Sequence, residues 1–138
     1  ARRGLDDHPG STVQPALAAF IEEGHFAQHL RRMRRLYAAR QEALLEAGRR
    51  HLDGLLDLSP DAAGMHLVAG LGGQLAGRAG DTACAERALL YSVAAPALSA
   101  YYQCVPEREG LLLGYAAVPE PEIDRAAQRL AQALETLI

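Results

Sequence analysis

The chain has 138 residues, 49% of them apolar and 22% charged, and a formal net charge of −3. That is one domain's worth of chain with enough apolar surface for a real core, and the acidic balance argues against a phosphate-neutralising nucleic-acid surface. All 14 basic side chains are arginine, so these residues hold no side-chain amine that could form an imine and be regenerated from it.

Alanine and leucine dominate the apolar share, with two Phe and no Trp, a usage that favours helix over an all-β fold. Ala1–Thr12 carries Gly4, Pro9, Gly10 and Ser11 and reads as linker. Ser11 or Thr12 is placed to cap a first helix ending near Glu23, with Gly24 as its stop and Pro15 in the first turn. A second, longer helix is expected from about His25 to Leu52. Phe26, Leu30, Met33, Tyr37, Leu44 and Leu52 fall on one stripe of it, with Arg31, Arg32, Arg34, Arg35 and Arg40 mainly off that stripe. Gly48 weakens its last turns and Gly54 marks its end.

Two short apolar runs follow, Leu55–Leu58 and Met65–Leu71, separated by Ser59-Pro60-Asp61 and Gly64, and they read as paired strands. Gly70–Gly80 reads as an irregular, mobile loop. Asp81 or Thr82 is the expected cap of a third helix to about Tyr91. Val93–Ala97 is a weaker strand candidate, Leu98–Glu109 a loop, and Leu111–Ala116 a strand apolar enough to be buried on both faces. Pro119 and Pro121 then open a final helix to Leu137, striped by Ile123, Ala127, Leu130, Leu134 and Leu137. The expected fold class is α+β, a two-layer sandwich with helices on one face of a small, mostly antiparallel sheet.

Chemical motifs are few. The glycine loop after Met65–Leu71 has neither a GxGxxG register nor a GK[ST] ending, so a phosphate cradle is not expected there. His25 and His29 sit four apart, a spacing that suits one metal ion, but no third ligand is evident; no metal is expected. The run Arg31-Arg32-Met33-Arg34-Arg35 is broken by Met33 and followed by Glu42 and Glu46, which fits a solvated face or pairing with a partner domain's acids better than a nucleic-acid stripe. Cys84 and Cys104 lack CxxC spacing and are expected to be reduced. No catalytic constellation appears. No apolar run reaches the ~18–20 residues of a membrane span and no signal peptide is recognisable, so a segment of a longer cytoplasmic protein, without membrane contact, is expected.

The stretch Phe20–Tyr37, centred on Gly24-His25-Phe26 and His29-Leu30-Arg31-Arg32-Met33-Arg34-Arg35, closely resembles a signature of the MocR-type regulators of the GntR superfamily. Gly64-Met65-His66-Leu67-Val68, Leu98-Ser99-Ala100-Tyr101-Tyr102 and Gly110-Leu111-Leu112-Leu113-Gly114-Tyr115-Ala116 are similar to later segments of the same family, in the same order. Such proteins join a winged helix-turn-helix to a domain shaped like a fold-type I, class I aminotransferase. The resemblance implies that residues 1–24 bridge from the large aminotransferase-like domain and that 25–138 form the C-terminal small subdomain. It implies pyridoxal phosphate in the intact parent but no cofactor in this chain alone. It also implies as partners the large domain and winged-helix domain of the same chain, a homodimeric parent, and no direct nucleic-acid contact by these residues.

The loop near the effector pocket would supply Ser99, Tyr101 and Tyr102. Class I aminotransferases usually set an arginine in the last strand, in a pattern like Leu-Arg-Leu-x-Phe-Ala, to clamp a substrate carboxylate. Leu112 stands there here, which fits a sensor better than a transaminase, and Arg108 is the nearest replacement. As a fragment the chain is expected to be catalytically inactive. The competing reading is the small domain of a genuine class I/II aminotransferase.

Overall fold

The computed structural model describes residues 13–62 and 64–138. They form two compact units that divide between Leu36 and Tyr37.

The first unit holds α1 (Val13–Glu22) and the opening turns of α2 (His25–His51). The expected caps Ser11 and Thr12 lie outside the described residues. α1 stops where expected: Gly24 takes a φ of +80°, and its N–H donates to the Ile21 carbonyl at 3.1 Å. That left-handed step is cheap for glycine alone. No residue of α1 is buried. Val13, Leu17, Phe20 and Ile21, with Phe26 and Leu30 of α2, leave an exposed apolar surface, and the stripe read along α2 packs on the core at Tyr37, Leu44 and, just past the helix end, Leu52.

The second unit is an α+β domain built on three antiparallel strands, β1 (Leu56–Leu58), β2 (His66–Leu71) and β3 (Gly110–Gly114), in the order β1-β2-β3. The period-2 pleat puts Leu67 and Ala69 on one face of β2 and Leu111 and Leu113 on the same face of β3. The register pairs Leu67 with Leu113 and Ala69 with Leu111. All four are buried, in one cluster with Leu44, Leu45 and Leu52 from the α2 end, Cys84 and Ala88 of α3 (Asp81–Leu90), and Ile123, Leu130 and Leu134 of α4 (Glu120–Glu135). Gly48 is more than a weak point in α2: a Cβ there would meet Leu58 Cδ2 at 3.2 Å, so its bareness admits the β1 side chain.

Four sequence expectations are revised. Val93–Ala97 is not a strand. The chain leaves α3 through Ser92 at a φ of +59°, and Pro96 has no N–H to give; what remains is one bridge, Ala97 to Leu111, and a bond from Leu112 N–H to the Pro96 carbonyl at 2.9 Å. The segment after it is not all loop, because Leu98–Tyr101 forms a 3-10 turn. β3 is buried on one face only, since Leu112, opposite Val68, is half-buried. The glycine-rich connection starts after β2 ends at Leu71 and is tied down: Leu75 and Ala76 donate to the Gly72 carbonyl at 3.0 and 2.9 Å, and Leu75 is fully buried. Gly72 is obligatory there, because a Cβ would lie 2.5 Å from the Gly54 carbonyl oxygen.

Candidate functional site

Asp81 opens α3 but does not cap it. Gly80 holds the cap position, with no side-chain cap bond, which corrects the expectation of an Asp81 or Thr82 cap. The Asp81 carboxylate, only 1% exposed, is turned instead toward two distant points of the chain. Its Oδ2 accepts the Ser99 N–H at 2.8 Å and the Gly110 N–H at 3.2 Å, and its Oδ1 accepts the Ser99 hydroxyl at 2.6 Å. Burial alone would raise its pKa. The Ser99 hydroxyl and the N–H groups of Ser99, Gly110 and Thr82 outweigh that and hold it below the ordinary carboxylate value. Gly110 must be glycine to enter the arrangement, since a Cβ would sit 2.5 Å from the Ala69 carbonyl oxygen.

The segment between these anchors carries the other residues read from the sequence. Tyr101 is 65% exposed, Arg108 is exposed and Tyr102 half-buried. Among the described residues none of these three side chains enters a hydrogen bond or ion pair. Ser99 differs, because its hydroxyl is committed to Asp81. The four residues therefore share one loop, three presenting free groups and the fourth anchoring it. Asp81 itself was missed by the sequence reading: an aspartate at a helix start looks like a cap, and nothing local says that its acceptors serve residues 18 and 29 positions ahead.

Cys84, in α3, is buried and Cys104, in the loop itself, is exposed, and both are free thiols. Burial, followed by the Asp81 and Glu109 carboxylates, pushes the Cys84 thiol up. At the far end of β3 the Tyr115 hydroxyl, on a side chain 1% exposed, donates to the Gly64 carbonyl at 2.9 Å and accepts from Gln41 Nε2 at 3.0 Å. Arg40 donates to the Ala116 carbonyl beside it. These bonds lock α2 to the chain just before β2 and just after β3.

In the first unit, Phe20, His25, Gln28, His29, Arg31 and Arg32 line an open basic cleft of about 590 Å³. Among the described residues no group of three His, Cys, Asp or Glu side chains could hold a metal, so His25 and His29 gain no third ligand there. No helix among the described residues is long and apolar enough to cross a membrane.

No family model matches the chain. Its solved structural neighbours include LysN, the α-aminoadipate aminotransferase of Thermus thermophilus, solved with N-(5'-phosphopyridoxyl)-L-leucine. That likeness has a TM-score of 0.83 and 26% identity and covers 99% of this chain and 34% of that one. A multiple substrate aminotransferase from Thermococcus profundus matches with a TM-score of 0.74 and 23% identity over 86% of this chain and 28% of that one, a likeness of fold alone. The architecture is that of an aminotransferase small domain. The curated relatives, however, are regulators. The chain is 40% identical over 111 residues, 80% of its length, to the probable rhizopine catabolism regulatory protein MocR of Rhizobium meliloti. It is 32% identical over 126 residues, 91% of its length, to an HTH-type transcriptional regulator, YhdI, of Bacillus subtilis. The chain spans only 22% and 26% of those two relatives. Fold and sequence together fit the C-terminal aminotransferase-like part of a MocR-type regulator.

Proposed function

We propose that in the intact regulator this segment closes over an effector pocket that holds pyridoxal phosphate, and that the degree of closure sets the state of a winged-helix DNA-binding domain elsewhere in the same chain. In this reading residues 1–24 bridge to the large domain, residues 25–138 are the small subdomain, and the parent is a homodimer. The observation that carries it is the pairing of an aminotransferase fold with regulator sequence.

Pyridoxal phosphate is not a group these residues bind covalently by themselves, because the chain has no lysine. When bound, the cofactor supplies an electron-withdrawing aldehyde and a dianionic phosphate, and the groups that anchor both belong to the large domain. What this chain contributes is a wall. Tyr101 and Tyr102 offer aromatic faces and hydroxyls, and Arg108 a guanidinium suited to a carboxylate or phosphate. Leu112 offers no hydrogen bond where class I aminotransferases usually place an arginine, which favours sensing over transamination.

Coupling to DNA requires an effector that binds the open and closed arrangements unequally. The test is titration of the full-length regulator with pyridoxal phosphate, comparing the natural protein with Tyr101→Ala/Arg108→Ala. Affinity should fall by about tenfold, the loss of one or two charge-assisted contacts. Unchanged affinity would refute the assignment of this loop to the pocket.

A further inference from the structure

We propose that Asp81 is the positioning residue of the ligand-facing loop, a side-chain clasp that joins both stems of residues 99–110 and thereby fixes how Tyr101, Tyr102 and Arg108 are presented. This rests on the reading above that the loop faces the pocket.

The geometry is specific to a clasp. A carboxylate loses hydration when buried and is stable there only if protein donors replace the water. Asp81 takes one N–H from its own helix, that of Thr82, but Gly80 and not Asp81 holds the cap position. Its acceptors go to Ser99, at the entrance of the loop, and to Gly110, the first residue of β3. One oxygen, Oδ2, receives the N–H groups of both stems, so entrance and exit converge on a single atom. The ten residues between them hold the three side chains with no hydrogen bond of their own among the described residues. Their placement is inherited from the stems, which Asp81 ties to each other beside the Ala97–Leu111 bridge.

The chemistry also says which replacement should be tolerated. In Asp81→Asn the amide oxygen can take the Oδ2 place and still accept both N–H groups. The NH2 then faces the Ser99 hydroxyl, which can reverse its role and accept. Asp81→Ala removes all three bonds.

The experiment uses the full-length regulator, with hydrogen exchange read on peptides covering 99–110 and on β2 as an internal control, and with the release rate of pyridoxal phosphate as the binding readout. Asp81→Ala should speed exchange in 99–110 by at least about tenfold while β2 is unchanged, the signature of local opening. It should speed pyridoxal phosphate release by about fivefold or more, with Asp81→Asn close to the natural protein in both measurements. Unchanged exchange in Asp81→Ala overturns the clasp. Faster exchange with unchanged release overturns the pocket assignment, and with it the positioning role, while leaving the clasp standing as structure. Asn behaving like Ala would mean that charge, not bond geometry, holds the loop, which also overturns the proposal. If the alanine variant does not fold, Ser99→Ala removes only the hydroxyl bond; a smaller rise in the same peptide supports the clasp, and none refutes it.

Discussion

Replacing Tyr115 by phenylalanine isolates one hydroxyl in an otherwise unchanged core. The ring stays, so the apolar burial of a side chain 1% exposed is retained. Two bonds are lost, one donated to the Gly64 carbonyl at 2.9 Å and one accepted from Gln41 Nε2 at 3.0 Å. Each contributes about 0.5–1.5 kcal/mol net, and orphaned buried partners would add desolvation to that. Neither partner is fully orphaned. Gln41 Nε2 also reaches the Asp61 carbonyl at 3.0 Å, and Gly64 is exposed, so water can reach its oxygen. The loss should therefore be close to the bare sum of two modest bonds, about 1–3 kcal/mol, with no cavity contribution. Equilibrium urea unfolding measures it: the midpoint should drop while the m-value stays constant, because the buried surface is the same. A loss below about 0.3 kcal/mol would mean that the hydroxyl does not join α2 to the sheet. A loss above about 4 kcal/mol would mean that water does not rescue Gly64 and the site is drier than argued.

Acid should cost the domain some stability at Asp81. The Asp81 carboxyl is held below its ordinary 3.8, so the unfolded chain binds the proton more readily. The stability it contributes is complete above that value and is lost as pH falls through the lower folded-state pKa. Unfolding midpoints recorded between about pH 5 and 2 should therefore show a steeper acid limb in the natural chain than in Asp81→Asn; superimposable limbs would refute this. Two adjacent glycines should behave oppositely. Gly72→Ala drives a Cβ to 2.5 Å from the Gly54 oxygen and should cost about 2–3 kcal/mol, whereas Gly73→Ala meets nothing within 4 Å and should be neutral or slightly stabilising in the same denaturant titration. The thiols should separate cleanly under a disulfide reagent at neutral pH. Exposed Cys104 should react at once and Cys84, buried with a raised pKa, only on unfolding; two fast equivalents would contradict the burial of Cys84.

The elements legible in the sequence are those whose residues speak for themselves. α4 follows from Ile123, Ala127, Leu130 and Leu134, all buried, at helical spacing behind Pro119 and Pro121, while Leu137, the fifth residue of the expected stripe, lies past the helix end at Glu135 and is half-buried. The hairpin of β1 and β2 follows from two apolar runs separated by Pro60 and Gly64, and Gly24 and Gly54 mark turns at positive φ. What stayed hidden depends on partners far along the chain. Val93–Ala97 has strand-like composition, but Pro96 and the left-handed Ser92 leave it a single bridge. The glycine run after β2 looks loose until Leu75 is seen filling the core. The free residues of the loop, Tyr101, Tyr102 and Arg108, came from family resemblance, whereas its anchor came only from the folded chain. An aspartate followed by threonine at a helix start carries the same local signal whether it caps its own helix or serves residues 99 and 110.

Closing a loop with a side chain beside a single backbone bridge has an evolutionary corollary. Because Asp81 ties positions 99 and 110, the tip between them can be lengthened without re-registering β3 against β2. Three extra residues on a ten-residue tip raise the closure entropy by roughly 0.2 kcal/mol, less than many surface substitutions. Insertions there give descendants of this chain a way to reshape the exposed tip while the scaffold stays as it is.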